Sequence, residues 1–312
     1  MEWAGLLNFF VFFLTLAGIY AILTLGLNVQ WGYTGMLNLG VGAFFAIGAY
    51  TSAILTTPSS TAHLGGFGWP FWLGALAAIF MAGFLAFLIG LITLNLRSDY
   101  LAIASIGLAE IVRLILKNED ELTNGVRGIA GIPKPLSGLI EGRDALVYCL
   151  LVLSAVGLIY WALERAYRSP WGRVLRAIRE DEQATAAAGK SVLNFRLQAF
   201  VLGSQVMGLA GALYAHFVTF ISPEAFQPEF ATFIVWVMLI AGGSGNNRGA
   251  LLGAVAIWGI RSLTELMAGF LPSELVTRVG PLRILLIGVI LQAILLLRPQ
   301  GVLPERPPRA QE

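Results

Sequence analysis

The sequence predicts an all-α membrane protein, a polytopic bundle of about 8–10 transmembrane helices. Of its 312 residues, 57% are hydrophobic and only 12% are charged, whereas soluble domains carry about a quarter charged residues. Several apolar runs reach the roughly 20 residues that a helix needs to cross a bilayer. The 36 glycines are typical of closely packed membrane helices. No stretch alternates between polar and apolar residues as a membrane barrel would.

About nine hydrophobic segments are candidates for membrane spans. The second is rich in glycine and the seventh is short, so we expect either of them to be broken or re-entrant. The predicted spans are 6–27, 36–56, 70–95, 99–117, 144–164, 195–220, 230–243, 249–270 and 282–298. This gives a transmembrane domain over 1–300, followed by a polar C-terminal tail, 301–312.

Lysine and arginine predict the orientation, because cytoplasmic loops carry an excess of them. The polar insert 166–194 and its flanks are rich in arginine, so we predict that the insert and the C-terminus are cytoplasmic. An odd number of spans then puts the N-terminus outside. The loop 118–143, whose basic residues are offset by acidic ones, is predicted to lie outside as well.

The polar insert is predicted to form two short helices. Ser169 followed by Pro170 is typical of a helix start, with the serine hydroxyl capping free N–H groups. A small-residue run then ends at Gly189, a helix-stop residue. The first helix has one apolar stripe at helical spacing, formed by Trp171, Val174, Leu175 and Ile178. That stripe fits either a helix resting on the lipid surface or a contact helix for a soluble partner.

Two charged pairs lie inside predicted spans, where ionisable groups are costly and face protein or water. Glu110 and Arg113 are three residues apart. They form either a self-paired structural couple near the outer interface or the lining of a polar substrate path. Arg261 and Glu265, four residues apart, favour the structural interpretation more strongly.

Glycine-rich stretches at 32–40 and 242–249 precede spans in the two halves and hint at an internal repeat, as in many transporters. Irregular backbone at membrane depth is tolerated only where protein buries it or a cavity borders it. If 31–40 is irregular, Tyr33 and Asn38 therefore border the pathway, with helix packing through glycine as the competing explanation. Asn246 and Asn247 are predicted to form a tight turn.

The sequence contains no recognisable catalytic, metal or nucleotide site. His63 and His216 are far apart, and Cys149 lies alone in an apolar run as a small buried side chain. Gly189-Lys190-Ser191 resembles the end of a phosphate loop, but the required first glycine is replaced by Ala184. If ATP drives transport, another chain must hydrolyse it. A self-sufficient ion-coupled carrier would need deep acidic groups, for which Glu110 and Glu265 are the candidates. A net charge of +2 is too small to indicate nucleic acid.

Five motifs in order resemble the permease subunits of high-affinity branched-chain amino acid ABC importers, the M-type partner of a two-permease system. They are GYTGMLNLGVGAFFAIGAYTSAIL (32–55), LRSDYLAIASIGLAEIVRLIL (96–116), the 169–215 segment that begins SPWGRVLRAIRE, FIVWVMLIAGGSGNNRGALLGA (233–254) and RPQGVLPE (298–305). The resemblance covers almost the whole chain. It implies a non-enzymatic, multi-pass subunit of the bacterial inner membrane that imports branched-chain or other neutral amino acids. A permease for urea or short amides is the alternative within the family.

The resemblance also implies partners and site residues. The partners are a second permease subunit in a heterodimer, two ATP-binding subunits that use the ATP, and a periplasmic or lipid-anchored solute-binding protein. No cofactor is expected on this chain. The family reads acidic–x–Ala–Ala near the ATPase, and Thr185 departs from it. The implied coupling residues are Glu180, Glu182, Ala184, Ala188 and Gly189. The candidate substrate-path residues are Tyr33, Asn38, Tyr100 and Glu110. The family often has Gln, Ser and His where this chain has Met36, Asn38 and Val41, which leaves the substrate open.

Overall fold

The protein is helical almost throughout in its computed structural model, which describes residues 2–58, 65–96, 98–138, 140, 142–268 and 279–305. The elements are α1 (Glu2–Leu27), α2 (Val41–Thr56), α3 (Phe71–Thr93), α4 (Ser98–Asn118), α5 (Asp120–Thr123), β1 (Ile129–Ala130), α6 (Asp144–Arg168), α7 (Pro170–Glu180), α8 (Glu182–Ala187), α9 (Val192–Val218), β2 (Phe220–Ile221), α10 (Ile234–Gly242), α11 (Asn247–Ala268) and α12 (Val279–Leu297). The all-α prediction is confirmed. His63 and the tail residues 306–312 lie outside the described residues.

Each predicted span corresponds to a helix in the described part of the chain. Six helices are long and apolar enough to cross a membrane, namely α1, α3, α6, α9, α11 and α12. The apolar helices α2 and α10 are shorter. Helix α4 carries the charges Asp99, Glu110, Arg113 and Lys117 and is amphipathic.

Helix α9 is the centre of the bundle and packs against α1, α2 and α3. Its contact with α2 is made backbone to backbone. A Cβ added at Gly48 would overlap the carbonyl oxygen of Gly208, and one at Gly211 would overlap that of Phe45. Only glycine allows so close an approach. Helix α1 in turn packs against α6 and α11, and α10 packs against α11.

The chain between α1 and α2 is irregular, as predicted. Helix α1 continues into a wider π-helical turn, Asn28–Gly32, and regular structure resumes only at Val41. The N–H of Leu39 donates to Ser105 Oγ at 2.9 Å, and Ser105 lies roughly 10 Å along α4 from its first residue. This irregular segment therefore runs inside the bundle rather than at its end.

The end of the bundle that carries α7 and α8 is called the insert end here. At the opposite end, β1 and β2 pair antiparallel, with Ile129 opposite Ile221. His216, fully buried on α9, holds this end together. Its Nδ1 lies 2.6 Å from the carbonyl oxygen of Pro133, and its Nε2 lies 2.9 Å from Ser52 Oγ. The part of this end that contains Pro133 is thereby fixed against α2 and α9.

Candidate functional site at the insert end

The apolar stripe of α7 is covered by the chain itself. Leu175 and Ile178 are 0% and 2% exposed, and α7 packs against α6 and α9. Neither of the two interpretations of the stripe anticipated this contact. The exposed residues of the insert are concentrated instead on α8 and on the turn that precedes it.

The two helices of the insert begin and end where the sequence indicates, but one cap is wrong. Helix α7 starts at Pro170, yet the hydroxyl of Ser169 donates to the carbonyl oxygen of Ala166 at 2.7 Å and caps no N–H. Asp181 does cap α8, because its Oδ1 accepts the N–H of Ala184 at 2.9 Å. Gly189, with φ of +78°, follows α8 in the left-handed region that glycine tolerates.

All five residues implied by the resemblance as coupling residues are exposed. They are Glu180, Glu182, Ala184, Ala188 and Gly189. Thr185, the position that departs from the family pattern, is only 7% exposed, and its hydroxyl donates to the carbonyl oxygen of Asp181 at 2.8 Å. Thr185 therefore contributes little to the exposed surface of α8.

Arg179, at the end of α7, joins the insert to two other parts of the chain. It donates to the carbonyl oxygen of Gly32 in the π-helical turn and, at 2.7 Å, to Glu305 Oε2 near the C-terminus. The other oxygen of Glu305 accepts the Tyr167 hydroxyl of α6. Arg176 lies over the Tyr167 ring at 4.3 Å. Burial by itself would lower the pKa of Arg179, but the bond to Glu305 holds that pKa above its ordinary value. The guanidinium is therefore always charged.

The start of the predicted tail packs on the bundle instead of extending into solvent. The N–H groups of Val302 and Leu303 donate to the carbonyl oxygens of Ala241 and Gly242 at 3.0 and 2.9 Å. The Asn246 amide donates to Leu303 O at 3.2 Å. Residues 301–305 thus run along the end of α10 and bring Glu305 to Arg179.

The two glycine-rich stretches meet at this end of the bundle. The N–H of Gly245 donates to Asn28 Oδ1 at 2.8 Å, and a Cβ added at Gly32 would lie 2.5 Å from the nitrogen of Gly245. Asn247 receives bonds from Asn28 at 3.0 Å and from the Tyr33 hydroxyl at 2.8 Å. Close packing of the two stretches therefore requires glycine at Gly32.

One part of the turn prediction for this region is wrong. Asn246 does form a turn, because its Oδ1 accepts the N–H of Arg248 at 3.0 Å. Asn247 instead begins α11, is 2% exposed and donates to Glu164 Oε2 at 3.0 Å. Its side chain consequently links α6 and α11 to the π-helical turn after α1.

The four candidate path residues do not form one cluster. Tyr33 and Asn38 are fully buried, and Asn38 donates to Gln30 Oε1 at 2.7 Å while its Oδ1 accepts the N–H of Gly40 at 2.7 Å. Tyr100 is 61% exposed on α4. Glu110 accepts from Arg113 Nε at 3.0 Å. Arg261 and Glu265 also pair, at 3.7 Å. The predicted ion pairs are thus both present.

Sequence reasoning missed four residues that organise this end: Asn28, Gln30, Arg179 and Glu305. Gln30 is fully buried and donates to Ser204 Oγ at 3.0 Å and to Phe200 O at 2.9 Å. The signal for Asn28 and Gln30 was present, since they are polar residues in an otherwise apolar run directly before Gly32. Within the described part of the chain, no group of three or more histidine, cysteine or carboxylate side chains could hold a metal ion.

Comparison with known proteins matches this architecture to a transport family. The family model described as branched-chain amino acid transport system / permease component matches residues 9–295. The high-affinity branched-chain amino acid transport system permease protein LivM of Escherichia coli K12 is 37% identical over 318 residues, covering 95% of this chain and 70% of the relative.

More distant relatives point the same way. A branched-chain amino acid transport permease protein LivM of Methanocaldococcus jannaschii is 31% identical, with 93% of this chain and 92% of the relative covered. The LivH permease protein of Escherichia coli K12 is 25% identical over 92% of this chain and 94% of its own length. No solved structure matches the chain at a significant level.

Proposed function

Because the chain belongs to the branched-chain amino acid transport permease family, we propose that it is the membrane-spanning subunit of an ATP-driven importer for branched-chain or other neutral amino acids. It is a multi-pass membrane protein and a transport component. The ATP would be hydrolysed by separate ATP-binding subunits, and a solute-binding protein would deliver the substrate. A second permease subunit would complete the translocation unit.

The observation that carries this proposal is the contrast between the two helices of the insert. Helix α7 is fixed to the bundle through Leu175 and Ile178, whereas α8 stands exposed directly after it. A rigidly mounted, exposed short helix is suited to dock on another protein and to transmit its movement. The arginine-rich flanks of the insert support its placement in the cytoplasm, where an ATPase would reach it.

The substrate route is proposed to pass the irregular segment between α1 and α2. Backbone without regular structure inside a membrane bundle must be buried in protein or border a cavity, and Tyr33 and Asn38 belong to this segment. Tyr100 and Glu110 lie on α4 rather than in this segment. They would line the route only if the second permease subunit packs against the exposed face of α4. Most of the route would be apolar and suited to aliphatic side chains.

Reconstitution of the complete complex tests the proposal. Proteoliposomes that contain this chain, its permease partner and the ATPases, loaded with ATP inside and supplied with the binding protein outside, should accumulate radiolabelled leucine. Accumulation of urea without leucine would instead assign the chain to the urea and short-amide branch. Uphill uptake by this chain alone under an ion gradient would contradict the proposal and favour a self-sufficient carrier.

A bulky substitution on α8 tests the docking role. Ala184→Trp should abolish co-purification of the ATPase while leaving the chain folded, because the Ala184 side chain is exposed. The matched control is Val126→Trp at the opposite end, where Val126 is 59% exposed. Retention of the ATPase by the Ala184→Trp variant would remove α8 from the proposal.

A further inference from the structure

The C-terminal segment 301–305 lies far from the insert in sequence but is bound to it. Glu305 and Arg179 are separated by 126 residues along the chain, and their charged groups are 2.7 Å apart. Both side chains are 23% exposed, so they are mostly withdrawn from water. Such a pair is screened less than an exposed one. Removal of Glu305 leaves Arg179 with only the exposed Glu180, at 3.1 Å, as its anionic partner, and removal of Arg179 leaves the Glu305 carboxylate partly buried without its cation.

The planar guanidinium of Arg179 connects two other parts of the chain to α7. One nitrogen donates to Gly32 O in the π-helical turn and another to Glu305. A π-helical turn is rare and often marks a functional site. Arg179 therefore connects the end of α7, directly before α8, to the π-helical turn that follows α1.

Glu305 connects the same guanidinium to the second half of the bundle. The segment that carries it is bonded through Val302 and Leu303 to the end of α10. Gly243, with φ of +116°, follows α10, and a Cβ there would overlap Leu303 O. Tight backbone contact thus fixes the C-terminal segment to the α10–α11 connection.

An open cavity of about 920 Å³ lies beside this joint. It is lined by Trp31, Gly35, Arg179, Ser244 and Glu305, among others. Apolar packing of Leu175 and Ile178 mounts α7 on α6 and α9, but the open cavity keeps side chains from filling the space between the end of α7 and the segments at Trp31 and Ser244. On that side the contacts of Arg179, including its ion pair with Glu305, connect α7 to both halves of the bundle.

We propose that the Arg179–Glu305 pair is a positioning joint that transmits movement of α7 and α8 to both halves of the bundle, which makes segment 301–305 part of the coupling machinery. This inference rests on the proposed function as a permease coupled to an ATPase. Neither residue contacts the ATPase or the substrate in this role. Loss of the joint leaves ATP hydrolysis intact and lowers the substrate moved for each ATP.

A double-mutant cycle in the reconstituted complex tests the joint. Glu305→Gln and Arg179→Gln should each leave the ATPase rate near that of the unsubstituted complex. Each should lower uptake per ATP at least about fivefold, the change that corresponds to a coupling free energy of about 1 kcal/mol. Because the two residues act through each other, the double variant should be no worse than the more damaging single variant. Glu305→Asp, which keeps the charge, should recover part of the uptake.

The matched control is Arg168→Gln, which breaks the ion pair between Arg168 and Glu164 at the same end of the bundle. That pair is also 2.7 Å long, but the Arg168 side chain is 71% exposed. It should leave uptake per ATP unchanged. Unchanged uptake per ATP in both joint variants, or additive losses in the double variant, would overturn the inference.

Hydrogen–deuterium exchange on the purified full chain separates this inference from the proposed function. Glu305→Gln should speed exchange in α7, in α8 and at Val302 and Leu303, whereas Arg168→Gln should not. Equal exchange in all variants would overturn the joint even if transport were confirmed. A complete complex that moves no amino acid with ATP would contradict the proposed function, and the exchange result would still decide whether the joint exists.

Discussion

Several polar side chains in the interior of this protein bond to one another across helices. Asn247 contacts Asn28, Tyr33 and Glu164, and so joins three parts of the chain through one amide. Gln30 does the same for the irregular segment and α9. In a membrane environment such bonds contribute modestly to the free energy of unfolding, on average about 0.6 kcal/mol each. They nevertheless determine which helices pack against each other.

Replacement of Tyr33 by phenylalanine tests whether this side chain is structural. Tyr33→Phe removes one buried hydrogen bond to Asn247 Oδ1 and should lower the free energy of unfolding by about 1 kcal/mol. Thermal unfolding in detergent would show this as a lower midpoint temperature. Because the Tyr33 hydroxyl is already bonded to Asn247 and so is not free to bind a substrate, the leucine concentration for half-maximal uptake by the complex should stay unchanged even though the proposed route passes this segment.

Tyr100→Phe is the matched control, because Tyr100 is 61% exposed. The midpoint temperature of thermal unfolding of this variant should equal that of the unsubstituted chain. If Tyr33→Phe altered the leucine dependence without altering stability, Tyr33 would be a substrate contact rather than a structural residue.

At the scale of elements, the crossing of α2 and α9 depends on the absence of side chains. Gly48→Ala should destabilise the protein strongly, because the added Cβ would overlap Gly208 O and the helices would have to separate. Overpacking of this kind costs about 1–3 kcal/mol. Yield of folded protein and the midpoint of thermal unfolding measure the effect.

The control for this crossing is Gly157→Ala in the middle of α6, where nothing lies within 4 Å of the added Cβ. Alanine is the better helix former, by about 1 kcal/mol, so this variant should be at least as stable as the original. Equal stability of the two alanine variants would show that α2 and α9 do not meet in this way.

Elements were predictable where local signals exist. Nine apolar runs indicated the helices, and Ser169-Pro170 and Gly189 indicated where the helical part of the insert begins and ends. The break before α2 was expected from the glycine-rich stretch 32–40. The sequence did not reveal that residues 301–305 attach to α10 or that Arg179 pairs with Glu305, since no local pattern links residues that far apart. The hydroxyl of Ser169 was misassigned because the carbonyl oxygen of Ala166 competes for it.

For the whole molecule, the two ends of the bundle should lie on opposite sides of the membrane. Helix α6, 25 residues long, separates the loop that contains Val126 from the insert that contains Gln183. The only cysteine of the chain, Cys149, is buried, so new cysteines can be labelled selectively.

The variants Gln183→Cys and Val126→Cys test this orientation with a membrane-impermeant maleimide. The thiol introduced by Val126→Cys should react in right-side-out membrane vesicles, whereas the thiol introduced by Gln183→Cys should react only in inside-out vesicles. The unsubstituted chain, which carries only Cys149, should stay unlabelled in both. Labelling of Gln183→Cys from outside would reverse the orientation and contradict docking of a cytoplasmic ATPase on α8.

The glycine contact between α2 and α9 has a consequence for how the chain is made. Helices α2 and α3 leave the ribosome long before α9, their main packing partner, is synthesised. Non-local contacts of this kind form late. Until α9 has been inserted, the nascent N-terminal half therefore remains in the lipid with the glycine surfaces of its helices exposed. We expect newly made chains truncated before Val192 to be recognised as unassembled and degraded. Biogenesis of this protein would then depend on insertion of α9.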